Sequence, residues 1–324
     1  MEIVLDSIQR QKSSVALLSV VSNTTLVVLK LIVGLVIGSV SVISEAIHSG
    51  VDLIAALIAL FAVRTSGKPA DDEHPFGHGK IENVSGTVEA LLIFVAAIWI
   101  IYEAVERLLH PKPMTEASWG VGVMLISALA NIVVSQMLFK VGNKTDSAAL
   151  KADAWHLRTD VYTSAGVMLG LGLISLGART LPGHNLQWID PVAAIGVALL
   201  ILRAAYHLTL ESGKDLLDVS LPVGEEEWIR GYVSGLRGTV HGFHHLRTRK
   251  AGSQRFVQFH LQVSADMSVE QSHKLHDDIV GAIKEQFPAS TVTIHIEPCD
   301  ATCEAACIGG CLLSEKQRQE MRQG

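Results

Sequence analysis

The sequence predicts an α-helical membrane protein: six transmembrane helices followed by a small cytoplasmic α/β domain. Three observations carry this. The chain is 49% hydrophobic over 324 residues, with a mean hydropathy of +0.36. Only 18% of residues are charged, against about 25% in an average soluble protein. The apolar residues are also unevenly spread, dominating to about Leu210 and giving way to an ordinary soluble pattern beyond it.

A bilayer core takes about 20 helical residues to cross. Segments near that length run from Ser14 to Gly38, Val40 to Val63, Val84 to Tyr102, Trp119 to Phe139, Ala152 to Ala178 and Trp188 to Leu210. The fourth carries no charged residue, whereas the second and fifth each hold ionisable groups. The domain plan is a segment 1–13, a transmembrane domain 14–213, an α/β domain 214–298 and a Cys-containing tail 299–324. An even number of spans puts both termini on one side. Arg10, Lys12, Arg64, Lys68, Lys80, Lys140, Lys144 and Lys151 fall on that side, and Arg107, Lys112 and Arg179 on the other. The positive-inside rule makes the termini cytoplasmic, and the expected location is the cell (inner) membrane. Met1 to Ser14 lacks the basic start and cleavage site of a signal peptide. A net charge of −6 gives no reason to expect nucleic-acid binding.

The soluble part reads helix, strand, strand, helix, strand. Glu225 to Leu236 has an acidic first turn that suits a helix. Arg255 to Ser264 alternates, with Val257, Phe259, Leu261 and Val263 on one face and Phe256, Gln258, His260 and Gln262 on the other. Thr291 to Glu297 alternates likewise, setting Val292, Ile294 and Ile296 against Thr293, His295 and Glu297. Ser268 to Phe287 is an amphipathic helix whose core is expected to be Val269, Leu275, Ile279 and Ile283.

The chemistry-bearing residues sit in the polar spans. His48 and Asp52 are four apart in the second, and His156 and Asp160 four apart in the fifth. Residues i and i+4 share a helix face about 6 Å apart, so each pair offers one nitrogen and one oxygen in the same direction. Two such helices supply four ligands, the number zinc prefers. Two aspartates neutralise a divalent ion and neutral imidazoles complete the shell. Empty, the site leaves bare carboxylates in a low dielectric, a cost that protons relieve. Metal and protons then compete for the same atoms, the physical basis of antiport. A single intramembrane His or Asp can serve as interhelical glue, but two identical pairs on separate spans are poorly explained that way. Glu45, Glu89 and Asp190 are weaker candidates, nearer span ends or paired, and Arg158 is expected to point off the ligand face.

The stretch from Ile47 to Asp52, the run PADDEHPFGHGK at 69–80, the stretch from Ala152 to Asp160 and Leu246 to Arg249 together resemble the cation diffusion facilitators, close to their bacterial zinc-transporting members. The resemblance covers nearly the whole chain and implies a homodimer, a ferredoxin-like cytoplasmic domain and proton-coupled metal export. It also implies that Asp71, His74 and His78 form a metal site in the loop after the second span. By pattern alone these three read as a solvated loop. It implies a cytoplasmic binuclear zinc site at His244, His260, His273, His295 and Glu297, where the family often has Asp in place of Glu297. His241, His245 and His276 are left as exposed surface. Lys80 and Asp218 match a charge pair that holds the membrane and cytoplasmic parts together. Many bacterial relatives have Asp where this chain has His48, and the all His-Asp site resembles the zinc-selective animal branch. An added imidazole suits zinc, whereas a third carboxylate better tolerates Cd2+, Fe2+, Co2+ or Mn2+.

Cys299, Cys303, Cys307 and Cys311 are the only cysteines and lie in the tail, which suits a reducing compartment. As one helix they extend about 18 Å, too far for one ion; a fold-back at Gly309-Gly310 is the alternative. They are expected either to capture metal or to be inert. Two other function classes remain, an intramembrane zinc hydrolase and a metal-gated channel. The sequence has no H-E-x-x-H motif, and four protein ligands leave no open position for a hydrolytic water.

Overall fold

Apolar runs separated by short polar or Gly/Pro-containing links form six helices in the computed structural model, which describes residues 2–37, 40–110, 118–180, 188–300 and 305–323. They are α1 (Glu2–Ile37), α2 (Val40–Ser66), α3 (Lys80–Leu109), α4 (Ser118–Thr145), α5 (Ala148–Thr180) and α6 (Ile189–Leu216). Among the described residues, all but α5 are both long and apolar enough to cross a membrane. With 33 residues, α5 has the length; Lys151, Asp153, Arg158 and Asp160 fall in its first half, and the sequence from Val161 to Ala178 carries no charge. The chain divides into two compact units, residues 6–214 and a second built mainly on 215–324.

In the first unit, α5 is the hub. Its Ala149, Leu150, Ala154 and Leu157 pack with Ala16 of α1, Val63 of α2 and Leu138 of α4. Its Ala152 joins a second cluster with Ala90 and Ile93 of α3 and Ile201 and Ala205 of α6. The contacts are rich in alanine, which lets helices approach closely where lipid offers no hydrophobic drive. The bundle exterior carries Leu35, Phe61, Val95, Trp99 and Leu200, all more than half exposed. Such an apolar outside and a partly polar inside is the arrangement a bilayer demands. Because α5 is enclosed by neighbours, its ionisable side chains meet protein rather than lipid.

The second unit follows the expected order. Its elements are α7 (Val223–Gly235), β1 (Gly242–Ala251), β2 (Gln254–Val263), α8 (Val269–Gln286) and β3 (Ser290–Pro298). The sheet order is β1-β2-β3. β1 and β2 pair antiparallel, and β2 and β3 pair parallel with α8 as the crossover. The alternation in β2 buries Val257, Phe259, Leu261 and Val263 against α7 and α8. Ser268 starts α8 with a capping box to Gln271. Of the four expected α8 core residues, Ile279 and Ile283 are buried and Leu275 packs beside them, but Val269 is 86% exposed. It lies six residues before Leu275, about one and two-thirds turns, which rotates it off the core stripe. Phe256 is buried too, although it shares a face with polar residues, because the Arg249 guanidinium covers its ring at 4.1 Å.

Beyond the sheet come the short helix α9 (Ala305–Ile308) and α10 (Glu315–Gln323). Between them the chain turns back at Gly309-Gly310 and lies along β1. Phe243 N donates to Gly310 O at 3.1 Å and Leu312 N to His241 O at 2.8 Å, with an antiparallel bridge between Gly242 and Cys311. A Cβ on Gly310 would collide with the Phe243 carbonyl, so this close approach requires glycine. The tail thereby covers the start of β1, an edge otherwise open to pairing. It is not one continuous helix.

Candidate functional site

The helical spacing of α2 and α5 brings the four intramembrane candidates together, and they pair crosswise. His156 Nε2 lies 3.1 Å from Asp52 Oδ1, and His48 Nε2 lies 4.0 Å from Asp160 Oδ1. Ligand atoms of His48, Asp52 and Asp160 lie within 4.8 Å of one another. Asp52 and His156 are buried, whereas the His48 side chain is 60% exposed. It faces a cavity of about 680 Å³, lined also by Asn23 and Lys30 of α1, Asn131 of α4 and Ser164 of α5. Its other walls are the second half of α3 and the first half of α6. All of these lie toward the helix ends remote from the 67–79 loop. The site therefore communicates with one end of the bundle.

Arg158 turns away from the ligands, as expected. Its Nε donates to Ser135 Oγ on α4 at 2.9 Å, and its guanidinium lies 5.9 Å from the Phe139 ring centre. Glu89 is the paired case: it is fully buried within α3 and accepts from Ser85 Oγ at 2.9 Å. The side chains of Glu45 and Asp190 lie outside the described residues.

Sequence reasoning missed the network at the opposite end of the bundle. Lys12 of α1 donates to Glu82 of α3, and both are essentially inaccessible to solvent. Glu82 also accepts from Ser66 at the end of α2 and from Ser147, which precedes α5. One carboxylate thus ties four helix ends together on the side away from the cavity. Lys12 had counted only as a positive-inside charge. Its partner lies 70 positions along the chain, and no local pattern links them.

In the loop, Asp71, His74 and His78 present ligand atoms within 4.8 Å of one another. His74 Nδ1 is 3.2 Å from Asp71 Oδ1, and His78 Nε2 is 3.3 Å from Asp71 Oδ2. The turn is closed by Gly77, with φ of 80°, whose N–H donates to His74 O at 2.9 Å. The His74 backbone N–H donates to Asp71, and this bond, aided by the two imidazoles, holds the Asp71 carboxyl below its usual value. The loop's one anionic ligand is therefore ionised wherever the chain is folded near neutral pH.

In the sheet, the register sets His244, His260 and His295 side by side across the three strands. Glu297 sits two residues after His295, and its carboxylate reaches both sides of the row. Oε1 lies 3.2 Å from His244 Nε2, and Oε2 lies 3.3 Å from His260 Nδ1 and 3.7 Å from His295 Nε2. The longer glutamate arm spans the row without difficulty. His273 is placed elsewhere, on α8, where ligand atoms of His273, His276 and Asp277 lie within 4.8 Å of one another. Imidazole nitrogens around a carboxylate match the donor set of a divalent ion of the zinc type.

Asp218 accepts from Arg249 Nη1 at 3.3 Å, and Lys80 begins α3. Of the tail cysteines, Cys307 is buried and donates to Gln262 Oε1 at 3.0 Å. Cys299 and Cys311 are part-buried and in no disulfide, and Cys303 lies outside the described residues.

Comparison with known proteins identifies the family. The family model described as the cation efflux transmembrane domain matches residues 16–217, and that of the cation efflux protein cytoplasmic domain matches 222–299. An uncharacterised transporter of Synechocystis sp. is 38% identical over 283 residues, covering 87% of this chain and 89% of its own. The cation-efflux pump FieF of Salmonella newport is 34% identical over 290 residues, covering 90% of this chain and 94% of its own. A solved metal-bound C-terminal domain of the CzcD transporter from Thermotoga maritima is 27% identical, covers 24% of this chain and 94% of its own, and superposes with a TM-score of 0.22. The chain is a metal cation efflux transporter, not an enzyme, and belongs to the cation diffusion facilitator family.

Proposed function

We propose that this transporter exports Zn2+ from the cytoplasm in exchange for protons, with His48, Asp52, His156 and Asp160 as the carrier site. The observation that carries the reading is the crosswise pairing of two imidazoles and two carboxylates at the foot of a cavity. At 3.1 Å His156 and Asp52 can share a proton, and His48 and Asp160 stand 4.0 Å apart across the same site. A divalent ion replaces the protons on the same lone pairs, and its charge is balanced by Asp52 and Asp160. The two imidazole nitrogens in the donor set favour zinc over harder ions. With both termini cytoplasmic, the cavity opens to the far side, where protons enter and metal leaves. The Lys12–Glu82 network closes the cytoplasmic side. Export then requires the bundle to rock so that the same four ligands face the cytosol.

In proteoliposomes, zinc flux is expected to rise when an opposing proton gradient is imposed. Flux indifferent to that gradient rules out antiport. A flux much faster than carrier turnover, without proton coupling, favours a metal-gated channel instead. Four protein ligands leave no open position for a hydrolytic water, which disfavours the zinc hydrolase.

The remaining sites are assigned regulatory or structural parts. The second unit mediates a homodimer, and the His244, His260, His295 and Glu297 set binds zinc and senses its cytosolic level, with His273, His276 and Asp277 on α8 as a separate candidate cluster. Asp71, His74 and His78 form a transient loop site. Lys80 and Asp218 form an interlock. The tail cysteines capture metal. Replacing Cys299, Cys303, Cys307 and Cys311 with Ser is expected to lower the number of bound zinc ions. Unchanged stoichiometry and transport would leave the tail a structural cover for β1 only.

A further inference from the structure

Residues that follow one another on a strand point to opposite faces, so His245 should face away from His244. It does not. The β1–β2 register runs His244 opposite His260, then Arg247 opposite Gln258. Two residues of β1, His245 and Leu246, thus stand against the single Phe259 of β2. This is a β-bulge, which re-aims a side chain at the cost of one unpaired residue. His245 takes up the extra residue with φ of 53°, a left-handed conformation uncommon for anything but glycine. Leu246 then packs against the core, and Thr248 is buried. The imidazole of His245 is left on the same side as its neighbour's. Its ring centre lies 4.7 Å from that of His244 and 5.2 Å from that of His260. The sequence carries a faint trace of this, since the apolar residues Phe243 and Leu246 are three apart where a regular strand needs two or four.

We infer that His245 is a further metal ligand of the cytoplasmic centre, an added imidazole for a divalent ion of the zinc type, delivered by the bulge. This rests on the reading of His244, His260, His295 and Glu297 as a metal centre. The His245 side chain is exposed, as is that of His295, so an arriving ion can reach it from solvent. Glu297 Oε1 lies 3.2 Å from His244 Nε2, while Oε2 lies near both His260 and His295. The His245 ring stands beside His244, on the Oε1 side of the carboxylate.

The test separates ligation from backbone shape. Asparagine tolerates the left-handed region and glycine is free of strain there, so His245→Asn and His245→Gly keep the bulge while removing the imidazole. The full-length protein in detergent would carry Asp52→Ala, His78→Ala and Ser in place of Cys299, Cys303, Cys307 and Cys311, to silence the proposed carrier, loop and tail centres. Zinc is titrated against a chromophoric chelator, and cobalt is followed by its d–d absorption. Both His245 variants are expected to bind one ion at least about 10-fold more weakly, in the range typical for a lost metal-site partner, with an altered cobalt spectrum. Wild-type affinity and spectrum in both, with binding lost in His244→Ala and Glu297→Ala, overturns the inference and leaves the centre intact. Wild-type binding in His244→Ala and Glu297→Ala would overturn the centre itself, and the inference with it.

Discussion

Metal flux is expected to fall at least about 100-fold in Asp52→Ala. Loss of a group that merely orients a metal ligand costs about 10- to 100-fold, and Asp52 is assigned as a ligand itself. Its removal also leaves a divalent ion with one carboxylate, Asp160, so the loaded site carries net positive charge inside the membrane. The His156 imidazole loses its 3.1 Å partner as well. The variant should be compared with wild type for zinc, cadmium, iron, cobalt and manganese. Wild-type zinc flux in Asp52→Ala would remove the proposed carrier site. In the same assay His48→Asp is expected to shift preference from zinc toward the larger or harder ions, because it exchanges a nitrogen donor for an oxygen. His48 suits such a swap, since its side chain borders the cavity rather than a packed interface.

Glu82→Ala is expected to destabilise the folded bundle by about 3–5 kcal/mol, the range for breaking one partner of a buried ion pair. The ammonium of Lys12, at 2% exposure, has no solvent to replace the carboxylate. Ser66 and Ser147 lose an acceptor in the same step. The double variant Lys12→Met/Glu82→Leu removes both charges while keeping similar volume, and most of the loss should return, since apolar replacement of a buried pair is often neutral or better. Thermal unfolding in detergent reads both. A single variant as stable as wild type would mean that Lys12 reaches water or another anion when Glu82 is absent.

The contrast between these two sites explains what was readable in advance. His48 with Asp52, and His156 with Asp160, repeat at the spacing of one helical turn inside apolar segments, so each pair announces its own shared face. Lys12 and Glu82 repeat nothing. Each reads as an ordinary charge at the end of a span, and only packing of α1 against α3 makes them partners. The second unit divides in the same way. Alternation in β2 and β3 identifies the core face and the polar positions of His260, His295 and Glu297. His245, by contrast, follows the alternation rule onto the wrong face, because the bulge depends on how β1 registers against β2. Val269 fails for a similar reason: apolar character alone does not place a residue on the core stripe of α8. The tail's return along β1 had a visible hinge in Gly309-Gly310, but its docking surface had none.

Local periodicity is written into the chain one element at a time, because a helix or strand presents its side chains at fixed intervals whatever surrounds it. From that came the transmembrane helices, the α/β order of the second unit and the two ligand pairs. Which faces meet depends on contacts between residues far apart in sequence, and those belong to the tertiary structure alone. It decided the crosswise pairing of the carrier site, the end of the bundle on which the cavity lies, the buried network that ties the other end, and the side of the sheet on which His245 stands.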